Sequence, residues 1–168
     1  AHRSDPAAAS GELAVSDPRP IGVFDSGIGG LTVLRALRER LPNESTVYLG
    51  DTARVPYGTK GVATVIHFAA QALEHLIHRG VKAVVIACNT ASAVAIEDLT
   101  QRTHLPVMGV IEPGVEAALA VTRGRVGVIG TLATVGSDRY GQLLRAARPG
   151  IEVIGQPCPL FVPLAEEG

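Results

Sequence analysis

Tryptophan is absent from the sequence, other aromatic residues are few, and only two cysteines occur among its 168 residues. No uninterrupted apolar stretch approaches the roughly 18 residues that a membrane-spanning helix requires, so we expect no membrane segment. An apolar stretch is also missing from the first twenty residues, and we therefore expect no secretory signal peptide there. Two cysteines without such a signal fit a reducing compartment better than a disulfide scaffold, which predicts a cytoplasmic protein.

An excess of charge of either sign is missing as well. Fifteen Lys and Arg residues against sixteen Asp and Glu residues give a formal net charge of −1, and the basic residues are scattered. Domains that bind nucleic acid usually carry a basic patch, so we expect no nucleic-acid partner. The scarcity of aromatic residues leaves Val, Leu, Ile and Ala to fill the core, as is typical of parallel sheets that helices cover on both faces.

Short β-branched segments alternate with longer segments of helical periodicity from residue 19 onward. Such alternation predicts right-handed βαβ units, and therefore an α/β fold with a Rossmann-like parallel sheet flanked by helices. The predicted strands are residues 21–24, 46–49, 83–87, 107–111, 125–129 and 151–154. The predicted helices are residues 31–41, 59–79, 91–103, 113–122 and 140–147.

The sequence also divides into three parts. Residues 1–19 are rich in Ala, Ser, Asp and Pro, and we expect them to form a disordered tail. The best position for a domain boundary is the tripeptide at residues 112–114, Glu-Pro-Gly. Residues 20–112 then form a first α/β domain, and residues 113–168 form the start of a second α/β domain.

The candidate site centres on Cys88, which follows the most apolar predicted strand and precedes a predicted helix. In open α/β sheets, this edge is where ligands bind. Backbone N–H groups at a helix N-terminus favour a thiolate over a thiol, so we expect a lowered pKa that suits an acid or a base. A free cysteine is often only a small buried hydrophobic residue, but the polar neighbours Asn89, Thr90 and Ser92 favour the chemical role.

A glycine-rich loop, Asp-Ser-Gly-Ile-Gly-Gly at residues 25–30, follows the first predicted strand. Its glycines let the backbone approach a ligand closely, and free N–H groups of the next helix can hold an anion. The spacing fits neither the dinucleotide fingerprint nor the phosphate loop, and a tight strand-to-helix turn is the alternative. A carboxylate at a strand end is costly unless it is paired or used, which singles out Asp25.

A longer loop, residues 50–60, follows the second predicted strand and could fold over the strand ends as a lid or wall. Tyr57, which precedes Gly58, is either a ligand contact or a packed loop aromatic. We interpret Arg54 and Lys60 as solvated surface cations rather than as partners of a substrate carboxylate.

Three further features lie outside these loops. Thr131 and Thr134 follow the fifth predicted strand and form either a carboxylate cradle or a helix N-cap. Cys158 stands between two prolines and is interpreted as structural. A solvated face explains the polar residues on one side of the second predicted helix, so we expect no metal there: His67, Gln71, Glu74, His75 and His78.

Three of these loops together resemble the signatures of bacterial glutamate racemases, within the aspartate/glutamate racemase superfamily. The motifs are DSGIGGL at residues 25–31, GDTARVPYG at residues 50–58 and ACNTAS at residues 87–92, and the similarity extends over residues 20–168. The resemblance implies a two-domain α/β fold with the active site between the domains. It also implies glutamate as substrate, no cofactor, a role in peptidoglycan precursor synthesis, and a homodimer when the protein is full length.

The resemblance also implies roles for individual residues. Cys88 would be one of two catalytic thiols that abstract and donate a proton on opposite faces of the substrate, and Asp25 would assist it. The implied substrate contacts are Asp25, Ser26, Tyr57, Gly58, Asn89, Thr90, Thr131, Thr134 and, in support of the opposite thiol, Glu166. The second thiol of the family, in a Gly-Cys-Thr-His motif, is missing from this sequence. We therefore expect a C-terminally truncated fragment that is inactive alone and whose second domain is incomplete.

Three other functions remain open. A sister racemase or decarboxylase of the same superfamily would act on aspartate or another amino acid. A nucleotide-binding Rossmann-type module would account for the glycine-rich loop, and nucleotide rather than glutamate would stabilise it. A non-catalytic interaction protein could retain the same scaffold.

Overall fold

The computed structural model describes the backbone of residues 17–167 and the side chains of residues 17–165. Most of the predicted tail, residues 1–16, lies outside the described residues. The strands are β1 (Ile21–Asp25), β2 (Thr46–Gly50), β3 (Ala83–Ile86), β4 (Val107–Gly109), β5 (Arg125–Gly130) and β6 (Glu152–Pro157). The helices are α1 (Leu31–Arg40), α2 (Val62–His78), α3 (Asn89–Val94), α4 (Ile96–Gln101), α5 (Ile111–Val121), α6 (Leu132–Gly136), α7 (Arg139–Ala147) and α8 (Phe161–Glu167), and a 3₁₀ turn covers Tyr57–Thr59.

All strand pairs in the two sheets are parallel. The first sheet has the order β2-β1-β3-β4, and β5 pairs with β6 in a second sheet. Helices separate the successive strands of each sheet, which confirms the predicted parallel α/β fold. Because β1 and β3 are neighbours in register, their carboxyl ends lie side by side at one edge of the sheet.

The main core lies between the first sheet and helix α2. The apolar residues of α2 recur at helical spacing, so they form one buried stripe: Val65, Ala69, Ala72, Leu73 and Leu76. This stripe packs against Phe24 of β1 and Ile86 of β3. Gly80 follows the helix with a φ of 70°, a left-handed conformation that glycine adopts without strain, so it provides the C-terminal stop of α2.

Helices α5 and α7 form a second, smaller core with the second sheet. Its buried members are Ile111, Val115, Leu144 and Ile151. On the other face of this sheet, Ile129 and Ile154 are exposed. No helix within residues 17–167 is both long enough and apolar enough to cross a membrane.

Several predicted helix and strand boundaries are wrong. The helix predicted over residues 91–103 is divided into α3 and α4 at Ala95, whose φ of −118° departs from helical values. The strand predicted over residues 107–111 ends at Gly109, and α5 begins at Ile111. The first turn of α5 includes Pro113, which is tolerated because the N–H groups of a first turn have no partner within the helix. The residues proposed as the domain boundary therefore lie in the first turn of α5.

Candidate functional site

The three motif loops meet at the carboxyl edge of the first sheet. Asp25 is the last residue of β1, and Cys88 lies two residues after the last residue of β3. The Ala87 N–H donates to the Phe24 carbonyl across 2.7 Å, which holds the two strand ends together. Parallel pairing therefore brings the polar residues of both loops to one place, as the sequence predicted.

The Cys88 side chain is the N-cap of helix α3. Its Sγ accepts the N–H of Ala91 at 3.4 Å and donates to Oγ of Ser26 at 3.3 Å. The side chain is only 4% exposed and also packs with the apolar residues of the main core. One side of the sulfur atom thus contacts polar groups, and the rest is shielded from water.

Burial raises the pKa of Cys88, so the prediction of a lowered pKa is wrong. The hydrogen bonds with Ser26 and Ala91 lower this pKa, and the nearby charge of Asp25 raises it, but loss of water is the largest effect. Helix α3 has only six residues. The donors at its N-terminus do not compensate for the desolvation of a thiolate, which leaves the neutral thiol as the favoured form.

Asp25 is buried, and its carboxylate bonds within its own loop. Oδ2 accepts the N–H of Gly27 at 3.1 Å and the N–H of Gly30 at 3.0 Å. A Cβ atom at Gly30 would lie 2.5 Å from Cβ of Asp25, so only glycine fits there. Two amides that could have held an anion are thus occupied by a side chain of the loop, which favours the tight strand-to-helix turn over a phosphate site.

Tyr57 is buried in the loop that follows β2. Its hydroxyl donates to Oδ2 of Asp51 at 2.5 Å, and its ring packs against the rings of Phe24 and Phe68. Burial, followed by the hydrogen bond and the charge of Asp51, raises the pKa of Tyr57 above its usual range. The side chain therefore anchors the loop, and its hydroxyl faces Asp51.

Arg54 is not the solvated cation that the sequence predicted. Its Nε lies 2.7 Å from Oδ2 of Asp51, its guanidinium also contacts Gln71, and its Cζ lies 4.3 Å above the ring of Phe68. A buried carboxylate needs such partners, and Asp51 has the Tyr57 hydroxyl and the Arg54 guanidinium. The loop therefore carries its own polar network.

Three threonine hydroxyls form a closed group where the two sheets meet, which we call the hydroxyl triangle. Oγ1 of Thr90 lies 3.0 Å from Oγ1 of Thr131 and 3.3 Å from Oγ1 of Thr134, and the latter two atoms are 2.9 Å apart. Thr131 is also the N-cap of α6, because its Oγ1 accepts the N–H of Thr134. Gly58 packs so closely here that a Cβ atom would lie 2.2 Å from Cβ of Thr131.

Asn89, the first residue of α3, is exposed. Its Oδ1 accepts a hydrogen bond from the Tyr140 hydroxyl at 2.6 Å. No sequence pattern indicates a role for Tyr140, because its position at the start of a helix in the second half of the chain gives no sign of a contact with residue 89. Glu166 belongs to α8, but its side chain lies outside the described residues.

A cavity of about 500 Å³ opens between α3 and the second sheet. Residues predicted to bind a ligand and residues of the second core share its lining, which includes Asn89, Thr131, Thr134, Tyr140, Cys158 and Phe161. No group of three or more His, Cys, Asp or Glu residues that could hold a metal ion occurs among the described side chains.

Comparisons with known proteins agree with this architecture. Residues 21–157 match the family model described as Asp/Glu/Hydantoin racemase. The glutamate racemase of Geobacter metallireducens is 56% identical over 151 residues, which are 89% of this chain and 56% of that protein. The glutamate racemase of Aquifex aeolicus is 53% identical over 149 residues, or 88% of this chain and 58% of that protein.

A solved structure of a relative shows the same fold. The crystal structure of glutamate racemase from Francisella tularensis in complex with D-glutamate is 49% identical and superposes with a TM-score of 0.84. That match covers 90% of this chain and 57% of the other. The chain thus spans little more than half the length of the relatives it matches.

Proposed function

We propose, because the chain belongs to the Asp/Glu/Hydantoin racemase family, that the intact protein interconverts L- and D-glutamate without a cofactor. Cys88 serves as one of two thiols that exchange a proton with the α-carbon. The observation that carries this proposal is the position of the Cys88 sulfur, at the end of β3 and in contact with the Ser26 hydroxyl and the Ala91 N–H. Relatives more than half identical to this chain bear the name glutamate racemase, which supports glutamate as the substrate.

The proposed reaction transfers two protons and leaves no net change in the protein's charge. A thiolate on one face takes the α-proton, the electron pair of the broken C–H bond stays on the α-carbon, and a thiol on the other face donates a proton to it. Because burial raises the pKa of Cys88, the free protein holds this residue as the thiol. Cys88 then acts first as the proton donor, and it becomes the base for the reverse direction.

Two hydrogen bonds support the thiolate that Cys88 becomes after donation. The N–H of Ala91 points at the sulfur, and the Ser26 hydroxyl, which has one proton of its own, can rotate to donate. The second thiol is proposed to lie outside these 168 residues. Cys158, the other cysteine of the chain, lies after β6 with its Sγ 3.6 Å from the Gln156 carbonyl and is assigned no catalytic role.

Donors around the cavity are proposed to hold the substrate carboxylates. The hydroxyl triangle of Thr90, Thr131 and Thr134 and the Asn89 amide are the donors that line or border it. Such donors stabilise the charge that develops when the α-proton leaves. The remaining proposed contacts are Asp25, Ser26, Gly58 and Glu166, with Asp25 also assisting Cys88, whereas the buried Tyr57 holds its own loop through Asp51.

The wider setting of the reaction is proposed from the family resemblance. D-Glutamate would supply peptidoglycan precursors, and the intact protein would form a homodimer in the cytoplasm. Free thiols are typical of a reducing compartment, and both Cys88 and Cys158 are free. Aspartate and other amino acids are the competing substrates, so a panel of L- and D-amino acids belongs in the assay.

The test replaces Cys88 in the intact protein. The Cys88→Ala variant is expected to exchange the α-proton of the glutamate enantiomer that Cys88 deprotonates with D₂O roughly 10²–10⁴-fold more slowly than the wild type, because a positioned acid–base group is lost. Proton NMR of each enantiomer measures the exchange. Cys158→Ala is the matched control and is expected to keep the wild-type rate. Exchange of both enantiomers at the wild-type rate in Cys88→Ala would contradict the proposal.

A further inference from the structure

We infer that Tyr140 is a positioning residue for the proposed reaction, which presupposes the substrate contact assigned to Asn89 above. The Tyr140 hydroxyl holds the Asn89 side chain so that its amide N–H₂ group, rather than its carbonyl oxygen, faces the substrate. The inference rests on one hydrogen bond, on the packing of the Tyr140 ring, and on the cavity that both residues line.

The hydrogen bond fixes which end of the Asn89 amide is free. The Tyr140 hydroxyl donates to Oδ1 across 2.6 Å, a short distance for an O–H···O bond. An asparagine amide has one acceptor end and one donor end. Because the acceptor end of Asn89 is engaged by Tyr140, the two N–H groups remain for a ligand.

The Tyr140 ring is itself held in place. It is half-buried against Gly114 of α5, where a Cβ atom would lie 3.5 Å from the ring carbon Cε1. Burial, and then the charge of Glu112, raise the pKa of Tyr140. The hydroxyl therefore keeps its proton at neutral pH and can donate it to Oδ1 of Asn89, as the hydrogen bond shows.

The contact also joins the two halves of the site. Tyr140 belongs to α7, which packs with the second sheet, whereas Asn89 follows Cys88 at the edge of the first sheet. Both residues line the cavity of about 500 Å³ that also includes Thr131 and Thr134. A carboxylate accepts hydrogen bonds and donates none, so a fixed amide donor suits this place, and a fixed carbonyl would repel the ligand.

The first experiment removes the hydroxyl and keeps the ring. In the intact protein, Tyr140→Phe is expected to raise the KM for both glutamate enantiomers roughly three- to ten-fold and to change kcat less than about two-fold, because binding rather than proton transfer is weakened. Gln142→Ala, an exposed change on the same helix, is the control and is expected to leave both constants unchanged. The thermal midpoint of each variant is measured alongside to show that it folds.

A double-mutant cycle then separates positioning from general damage. In the Asn89→Ala background, Tyr140→Phe is expected to have no further effect on KM, because the group that it positions is gone. The inference is overturned if KM is unchanged in Tyr140→Phe, or if the two substitutions have additive effects. A wild-type protein that does not convert glutamate would contradict the proposed function itself and the inference with it, and the same assay reveals this separately.

Discussion

Asp25 and Tyr57 show how a single residue of a motif can serve its own loop. The carboxylate of Asp25 accepts two backbone N–H groups, and the hydroxyl of Tyr57 donates to Asp51. Both side chains therefore hold the backbone that carries the neighbouring polar groups. The sequence motif alone does not predict this structural role, because the identity of a polar residue does not show whether its side chain contacts a ligand or its own loop.

At the same scale, the raised pKa of Cys88 predicts a pH dependence. A higher pKa means a smaller thiolate fraction at every pH below it, and only the thiolate reacts with an alkylating reagent. In a Cys158→Ser variant of the intact protein, the rate of Cys88 alkylation by iodoacetamide is expected to rise with pH. The midpoint of this rise is expected above the ordinary thiol pKa of about 8.5. Mass spectrometry of aliquots from pH 6 to pH 10 measures it.

The same protein unfolded in urea is the control for this measurement. Its Cys88 is solvated and is expected to titrate near the ordinary value, so the difference between the two midpoints reports the effect of folding. A folded-state midpoint below that of the unfolded chain would show that the donors of Ser26 and Ala91 outweigh the burial, contrary to the prediction.

At the scale of elements, the contact between the 3₁₀ turn and α6 depends on a glycine. A Cβ atom at Gly58 would overlap Thr131, whereas a Cβ atom at Gly61 would meet nothing within 4 Å. Gly58→Ala is therefore expected to lower the free energy of unfolding by about 1–3 kcal/mol, since the turn or α6 must shift. Gly61→Ala is the matched control, with an expected change within about 0.5 kcal/mol.

Urea unfolding of both variants in the intact protein measures this difference. Equal stability of Gly58→Ala and the wild type would mean that the turn does not pack on α6 in solution. A shift of the turn or of α6 would also displace Thr131. Because Thr131 belongs to the hydroxyl triangle proposed to bind the substrate, we expect the KM for glutamate to rise in Gly58→Ala.

The strands and the long periodic helices could be predicted from sequence, and the short helices could not. Helix α2 has a regular apolar stripe and a glycine stop, so its sequence identifies it. Helix α6 has five residues and depends on the Thr131 cap and on Gly58, a residue distant in sequence. The break at Ala95 likewise has no local signal, since alanine favours a continuous helix.

At the scale of the whole molecule, Arg139 joins helices that belong to different cores. Its guanidinium lies 3.1 Å from Glu97 of α4 and 3.3 Å from Glu112 of α5, and its side chain is largely buried. Arg139→Ala is expected to lower the free energy of unfolding by about 1 kcal/mol at low salt and by less at high salt, because salt screens such pairs.

Urea unfolding of the intact protein at 50 mM and 1 M sodium chloride tests this expectation. Arg35→Ala is the matched control, because the pair of Arg35 with Glu39 is exposed and lies within one helix. Its expected effect is below about 0.5 kcal/mol. A role in joining the two cores would be contradicted if Arg139→Ala lowers the free energy of unfolding no more than the control does. It would also be contradicted if the decrease does not depend on salt.

The sequence could predict which residues gather at the sheet edge, but only partly how they meet across the two sheets. Asp25, Ser26 and Cys88 come together because parallel strands align their carboxyl ends, a rule that needs no coordinates. The bonds from Thr90 to Thr131 and from Tyr140 to Asn89 depend on how the second sheet packs against the first. Local patterns carry no information on that packing.

The threonines at positions 90, 131 and 134 have a consequence for how the protein would receive an anion. Each side chain brings one hydrogen and spare lone pairs, so the three can point around their loop clockwise or anticlockwise at similar energy. An arriving negative oxygen would break this symmetry by drawing one hydrogen outward while the other two reorient by simple rotation. A bound anion would thus determine how the three hydroxyl groups are oriented, through rotation about their C–O bonds and without any backbone movement.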